Sequence, residues 1–114
     1  MELLVVESSD SLTHLSLAGS LNLSGVQAVE LQFLARTAAA QKPAIVDLSR
    51  VDFIASLGLR MILEAARSLR RNGNPLILLR PTADVENVLH ISAISTIAII
   101  SHNEEDARSI ASAF

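Results

Sequence analysis

The sequence predicts one α/β domain whose mixed sheet of four to five strands opens with an N-terminal β-hairpin and carries about four helices. Short apolar runs alternate with stretches whose apolar residues recur every three or four positions, which is typical of βαβ units. Only a polar turn separates the first two apolar runs, which predicts an antiparallel hairpin. The 114 residues contain no linker-like tract, so residues 1–114 are expected to form a single domain.

The predicted strands are short apolar stretches bounded by turn residues. They cover residues 3–6, 12–18, 44–48, 76–79 and 97–100. Gly19 is expected to end the second strand, and the run that begins at Ala44 is expected to be buried on both faces of the sheet. With helices between the later strands, the order is ββαβαβαβα, and the later strands are expected to run parallel.

The predicted helices show apolar residues on one face and recognisable end signals. They cover about residues 26–40, 57–71 and 82–90, with a last helix after residue 103. Ser24 and Asn103 are expected to be N-caps of the first and last helices. Pro43 follows the end of the first helix, and Gly73 suits a left-handed residue after the second.

Composition excludes several classes of function. The chain lacks cysteine, so disulfides, thiolate metal sites and a cysteine nucleophile are absent. A net charge of −3 and three Phe as the only aromatic residues argue against nucleic-acid binding. The N-terminus does not resemble a signal peptide, and no apolar run approaches the roughly 20 residues of a membrane helix. We therefore expect a cytoplasmic protein with no membrane insertion.

The sequence shows no convincing catalytic or metal-binding set. His14, His90 and His102 are widely separated and are expected to be surface or hydrogen-bonded side chains. A Ser–His–Asp triad is not excluded by sequence alone, but Gly-rich phosphate loops and a Gly-x-Ser-x-Gly elbow are both missing. Asp47 lies inside an apolar run, where Ser49 or turn amides are expected to bind it in a structural role. We predict no catalytic residue, no metal and no cofactor.

Basic residues are concentrated on the second predicted helix. Arg60, Arg67 and Arg71 fall on one face, with Glu64 between them. Two interpretations are open at this point: a solvated face that Glu64 partly neutralises, or a docking surface for an acidic partner.

Ser56 stands out because it lies between a strand-like segment and a helix, in Ile54-Ala-Ser-Leu-Gly58. This position predicts an N-cap whose hydroxyl accepts a bond from a backbone amide. Free amides and the helix dipole also favour an anion there, including a phosphoryl group carried by the serine itself. Gly58 is expected to let a partner's backbone approach the turn.

The segment from Val46 to Arg60, VDLSRVDFIASLGLR, resembles the central motif of the STAS domain, in particular that of the anti-sigma-factor antagonists of bacterial partner-switching systems. The N-terminal hairpin that ends in the bend Gly19-Ser-Leu-Asn22 is also similar to this family. The resemblance covers essentially the whole chain, and its motif is more specific for the fold than for the pathway.

The resemblance implies a switch. The unmodified protein would bind a serine-kinase anti-sigma factor of the histidine-kinase-like ATPase fold, and phosphorylation of Ser56 would release it. A PP2C-type phosphatase would reset the protein, and ATP would belong to the kinase. A weak homodimer is left open. The residues implied in partner binding are Asn22, Ser24, Ala55, Ser56, Leu57, Gly58 and Arg60.

Two positions depart from the family pattern. Ala55 replaces the motif aspartate, and Asn22 replaces an aspartate that is frequent in the bend after the second strand. Fewer carboxylates near Ser56 would reduce repulsion of a phosphate, but they would also change what a kinase recognises. The alternative is therefore a STAS subunit of a lipid-transport or stress-sensing complex that is not phosphorylated.

Overall fold

The five strands form a single sheet in the order β1-β2-β3-β4-β5 in the computed structural model, which describes residues 1–114. The strands are β1 (Glu2–Ser8), β2 (Thr13–Leu21), β3 (Ala44–Ile54), β4 (Leu76–Leu79) and β5 (Ile99–Ser101). β1 and β2 pair antiparallel, and the other three pairings are parallel. The predicted hairpin and the mixed sheet are confirmed.

Four helices connect or follow the strands. They are α1 (Leu23–Arg36), α2 (Ser56–Arg71), α3 (Ala83–Ile91) and α4 (Glu104–Ser112), with a 3₁₀ turn at Ile94–Thr96. The predicted element order is confirmed, as are the caps at Asn103 and the left-handed Gly73, whose φ is +76°. None of the helices has both the length and the apolar composition that crossing a bilayer requires.

The sheet separates two apolar cores of unequal size. The larger core joins the sheet to α1, α2 and α3, and Phe33 of α1 and Met61 and Ile62 of α2 are fully buried in it. The smaller core lies under α4, where Ala107 and Ala111 pack against Ile45 and neighbouring residues. Small residues on α4 allow this helix to approach the sheet closely.

Three strands are longer than predicted. β1 spans Glu2–Ser8 and not only residues 3–6. β2 continues through Gly19, which adopts φ +116°, and ends at Leu21. β3 does not stop at Leu48 but continues to Ile54. Its pairing with β4 ends at Asp47, so the extension pairs with β2 alone and is exposed on one side. That exposure explains its polar residues, which concealed the strand in the sequence.

Candidate partner-binding site

The carboxyl ends of β2 and β3 lie side by side, because these neighbouring strands run parallel. Leu21 is paired with Ile54, and the amide of Ala55 donates a 2.9 Å hydrogen bond to the carbonyl of Leu21. The helices that follow, α1 and α2, therefore begin next to each other at one edge of the sheet. This arrangement brings the Asn22 bend and the Ser56 turn together.

Asn22, not Ser24, is the N-cap of α1. Its Oδ1 accepts a 2.8 Å hydrogen bond from the amide of Gly25. Ser24 lies inside the first turn with its side chain exposed, so the predicted cap was two residues too late. A Cβ on Gly25 would lie 2.0 Å from the carbonyl oxygen of Ser20, which shows how closely the start of α1 follows the end of β2.

Ser56 is the first residue of α2 and not its N-cap, which corrects the sequence prediction. The N-cap is Ala55, which has no side chain that could accept a hydrogen bond. The other three helices are capped by the side chains of Asn22, Thr82 and Asn103. Ser56 is exposed, and no hydrogen bond within the chain involves its hydroxyl. The first turn of α2 therefore offers uncapped amides beside a free hydroxyl.

Gly58 holds the Ser56 turn against the sheet. A Cβ at this position would lie 2.9 Å from Cβ of Leu21 and 3.0 Å from Cγ1 of Ile54. Gly58 is buried, so its missing side chain makes room for the protein's own core and not for a partner's backbone. The glycine fixes where Ser56 stands without forming part of the exposed surface.

Exposed apolar side chains are present at the edge of the sheet that carries Ser56. Leu23, Phe53 and Leu57 expose 56%, 53% and 40% of their surface, respectively. Phe53 also lines a small hollow between the end of β3 and α3. A contiguous apolar patch is typical of a protein-interaction surface, whereas single exposed apolar residues, such as Leu31 and Ile91 elsewhere in the chain, are ordinary. Arg60 is exposed one helical turn beyond Ser56.

Asp47 has the structural role predicted for it. It accepts a 2.8 Å hydrogen bond from the amide of Ser49 and another of 2.8 Å from Arg80, a partner that the sequence did not reveal. Burial raises the pKa of Asp47, but the hydrogen bonds from Arg80 and Ser49 outweigh it and leave the pKa below its ordinary value. The carboxylate is thus held charged beneath the loop that follows β4.

His14 contradicts the expectation that the histidines are exposed or hydrogen-bonded. Only 2% of its surface is exposed, and neither ring nitrogen has a hydrogen-bond partner. Desolvation lowers the pKa of His14, which keeps the ring neutral. The strand pairing with Ile45 places His14 on the face that α4 covers.

The other two histidines converge on one carboxylate. His102 lies 2.9 Å and His90 3.3 Å from the carboxylate of Glu86, and Ser95 lies 3.0 Å from the other ring nitrogen of His90. Hydrogen bonds with His102 and then His90 lower the pKa of Glu86. The four-residue spacing of Glu86 and His90 was the overlooked sequence signal. No group of three or more potential metal ligands occurs here or elsewhere in the chain. Both histidines are exposed. We therefore interpret the cluster as a set of hydrogen bonds that connects α3 to the loop after β5.

The fold and this edge define a small α/β module in which an exposed serine lies beside exposed apolar side chains. The family model described as Mlab, STAS domain, matches residues 4–100. The chain belongs to the STAS domain family. Its fold is that of the anti-sigma-factor antagonists within this family.

Similar proteins carry names from that group. BtrV of Bordetella bronchiseptica, described as an anti-sigma factor antagonist, is 29% identical over 104 residues, which cover 91% of this chain and 90% of BtrV. The crystal structure of TM1081 from Thermotoga maritima, described in the same way, is 21% identical with a TM-score of 0.81, covering 96% of this chain and 92% of TM1081.

The anti-sigma factor antagonist SpoIIAA is similar in two states. Its unphosphorylated form is 19% identical with a TM-score of 0.78, covering 99% of this chain and 98% of SpoIIAA. The phosphorylated form from Bacillus is 20% identical with a TM-score of 0.71, covering 96% of this chain and 99% of SpoIIAA. At these identities the two structures establish the fold alone.

Proposed function

We propose that this protein is an anti-sigma-factor antagonist that binds a serine-kinase anti-sigma factor in the cytoplasm and is switched off by phosphorylation of Ser56. The observation that supports it best is the exposed, unbonded Ser56 hydroxyl at the uncapped start of α2. A kinase can reach such a hydroxyl without unfolding the protein. The protein acts by binding and needs neither catalysis nor a cofactor of its own.

The surroundings of Ser56 supply a physical reason for switching. Leu23, Phe53 and Leu57 are exposed apolar groups that a partner would cover. A phosphoryl group adds about −1.5 to −2 charges at this edge. Covering that charge with an apolar partner surface would cost desolvation energy, while the uncapped amides of α2 would stabilise it in the free protein. Phosphorylation would then favour release.

The Asn22 and Ala55 positions modify this mechanism. Asn22 uses its side chain to cap α1, and Ala55 contributes no carboxylate beside Ser56. The phosphate would therefore meet no adjacent negative side chain at these two positions, which favours a stable phosphorylated form. Resetting it would require a PP2C-type phosphatase, because phosphate-monoester hydrolysis is very slow without a catalyst.

A second candidate is a STAS subunit of a lipid-transport or stress-sensing complex that is never phosphorylated. Ala55 is the observation that favours it, because a family member that does not cycle has no use for the motif carboxylate. The two candidates share the binding surface and differ in the chemistry of Ser56.

The deciding experiment incubates the protein with the histidine-kinase-like anti-sigma factor of its own genome and ATP, followed by intact-mass measurement. We expect one phosphoryl group on the wild type and on Ser24→Ala, and none on Ser56→Ala. Ser24 is the matched control, since it is also an exposed serine in the first turn of a helix at this edge. Tight binding that ignores ATP, with no mass change in any variant, would contradict the switch, and absence of both binding and mass change would favour the second candidate.

A further inference from the structure

The outer face of α2 carries an excess of positive charge that nothing in the chain neutralises. Four of the nine basic residues lie on this helix, all exposed: Arg60, Arg67, Arg70 and Arg71. Their only acidic neighbour on α2 is Glu64, so the helix has a formal charge of +3 while the remaining residues carry −6. The positive charge is thus concentrated on one helix of an acidic protein.

None of these arginines forms an ion pair. The salt bridges of arginine involve only Arg80 and Arg108, which bind Asp47, Glu7 and Glu104. Glu64 lies four residues from Arg60 and three from Arg67, yet it pairs with neither. The solvated-face interpretation allowed ion pairs between Glu64 and these arginines, and none is formed, which favours the docking interpretation. A shallow groove runs along this face between Arg60, Glu64, Arg67 and Arg71.

We infer that this face of α2 binds an acidic surface of the same kinase partner, an inference that rests on the proposed function. The face begins at Arg60, one turn after Ser56, and ends at Arg71, so Ser56 and the last arginine are roughly 22 Å apart along the helix, which fits within one ordinary protein interface. A single partner can therefore contact the Ser56 edge and the arginines together. The partner would place carboxylates opposite Arg60, Arg67 and Arg71, and a neutral or basic group opposite Glu64.

Charge and burial favour a protein partner over a membrane or a nucleic acid. The apolar face of α2 packs into the core, where Met61, Ile62 and Leu69 are fully buried. The helix therefore has no free apolar face that could insert into a bilayer. The positive charge is confined to the outer face of one helix, α2, and Glu64 interrupts it. The remaining residues of the chain carry a net negative charge that would repel a polyphosphate. Complementary carboxylates of a folded partner meet none of these obstacles.

The test measures association of the purified kinase with the wild type and with Arg67→Glu/Arg71→Glu at low salt and at about 0.5 M salt. We expect the double variant to associate at least ~10-fold more slowly at low salt, with most of the difference lost at high salt. The matched control is Arg36→Glu/Arg50→Glu, which makes the same charge change at two exposed arginines outside α2 that also lack ion pairs. We expect it to remain within about threefold of the wild type.

Equal slowing in both double variants would show that only net charge matters and would overturn the inference, as would unchanged rates in both. In either case, phosphorylation of Ser56 by the kinase would still uphold the proposed function. Absence of any binding by the wild type would instead overturn both. Arginine-dependent binding to phosphatidylglycerol vesicles or duplex DNA, with kinase binding unaffected, would also contradict the inference. Arg67→Gln/Arg71→Gln is the milder variant if the charge reversal impairs folding, and circular dichroism checks this.

Discussion

The amide of Ala55 donates a hydrogen bond of 2.9 Å to the carbonyl of Leu21, and this bond ties the start of α2 to the end of β2. The position of Ser56 is thus set by backbone pairing and by the close packing of Gly58, not by a capping bond of its own side chain. The Ser56 hydroxyl therefore makes no hydrogen bond that the fold requires. A modification there can change the surface while the scaffold remains intact.

We predict that Gly58→Ala destabilises the protein by about 1–3 kcal/mol. In an exposed helix the same change would stabilise by roughly 0.5–1 kcal/mol, so the sign itself tests the packing. The added Cβ would lie 2.9 Å from Leu21 and 3.0 Å from Ile54. Urea unfolding measures the difference, and a stabilised variant would show that the turn is not held as described.

The N-cap assignment predicts a contrast between two nearby residues. Asn22→Ala removes the cap of α1 and should cost about 0.5–2 kcal/mol of unfolding free energy. Ser24→Ala removes an exposed hydroxyl that caps nothing and should stay within about 0.5 kcal/mol of the wild type. The reverse order in chemical denaturation would restore Ser24 as the cap.

Burial of His14 predicts acid sensitivity. Its pKa is lowered in the folded protein, so the unfolded chain binds more protons below about pH 6.5 and stability falls as the pH decreases through that range. The charged groups around the ring are Glu104, Arg108, Asp47 and Glu7, and desolvation outweighs the three carboxylates.

His14→Leu should remove this loss of stability between about pH 7 and pH 5 and should be neutral or stabilising at pH 7, because an apolar group leaves no unpaired nitrogen. Gln32→Leu, at an exposed residue that carries no titrating group, is the control and should keep the wild-type slope. Unfolding free energies across the pH range decide the matter, and an unchanged slope in His14→Leu would contradict the assignment.

Arg60 is expected to pair with a phosphoryl group on Ser56, because residues four apart on a helix are neighbours. The cation and the start of the helix should hold the second pKa of phosphoserine 56 below its usual value of about 6. Phosphorus NMR titration should show this pKa rising in Arg60→Gln and unchanged in Arg67→Gln. Identical titrations in all three proteins would exclude the pair.

The sequence was sufficient for the element order, the hairpin and the place of the Ser56 segment, because these depend on local apolar patterns and turn residues. It was not sufficient where tertiary pairing overrides local preference. The end of β3 was missed because Ser49, Arg50 and Asp52 face solvent along a ribbon paired on one side only.

The N-caps of the helices were also mispredicted where local residue preference was the only guide. A serine before a helical pattern is a good N-cap by preference, yet Ser24 and Ser56 both lie inside their helices. Burial of His14 could not be predicted from the sequence either. The residue pattern of an alternating strand is the same whether one face or both faces of the sheet are covered, and here α4 covers the face that carries His14.

In the proposed function, phosphorylation of Ser56 switches binding of the anti-sigma kinase. The most direct test is the affinity of the anti-sigma kinase for the unmodified protein, for the enzymatically phosphorylated protein and for Ser56→Ala. We predict that the phosphorylated protein binds at least ~10-fold more weakly, or about 1.4 kcal/mol. Ser56→Ala should bind as the unmodified protein does and should not respond to prior incubation with kinase and ATP. Equal affinity of the phosphorylated and unmodified forms would contradict it.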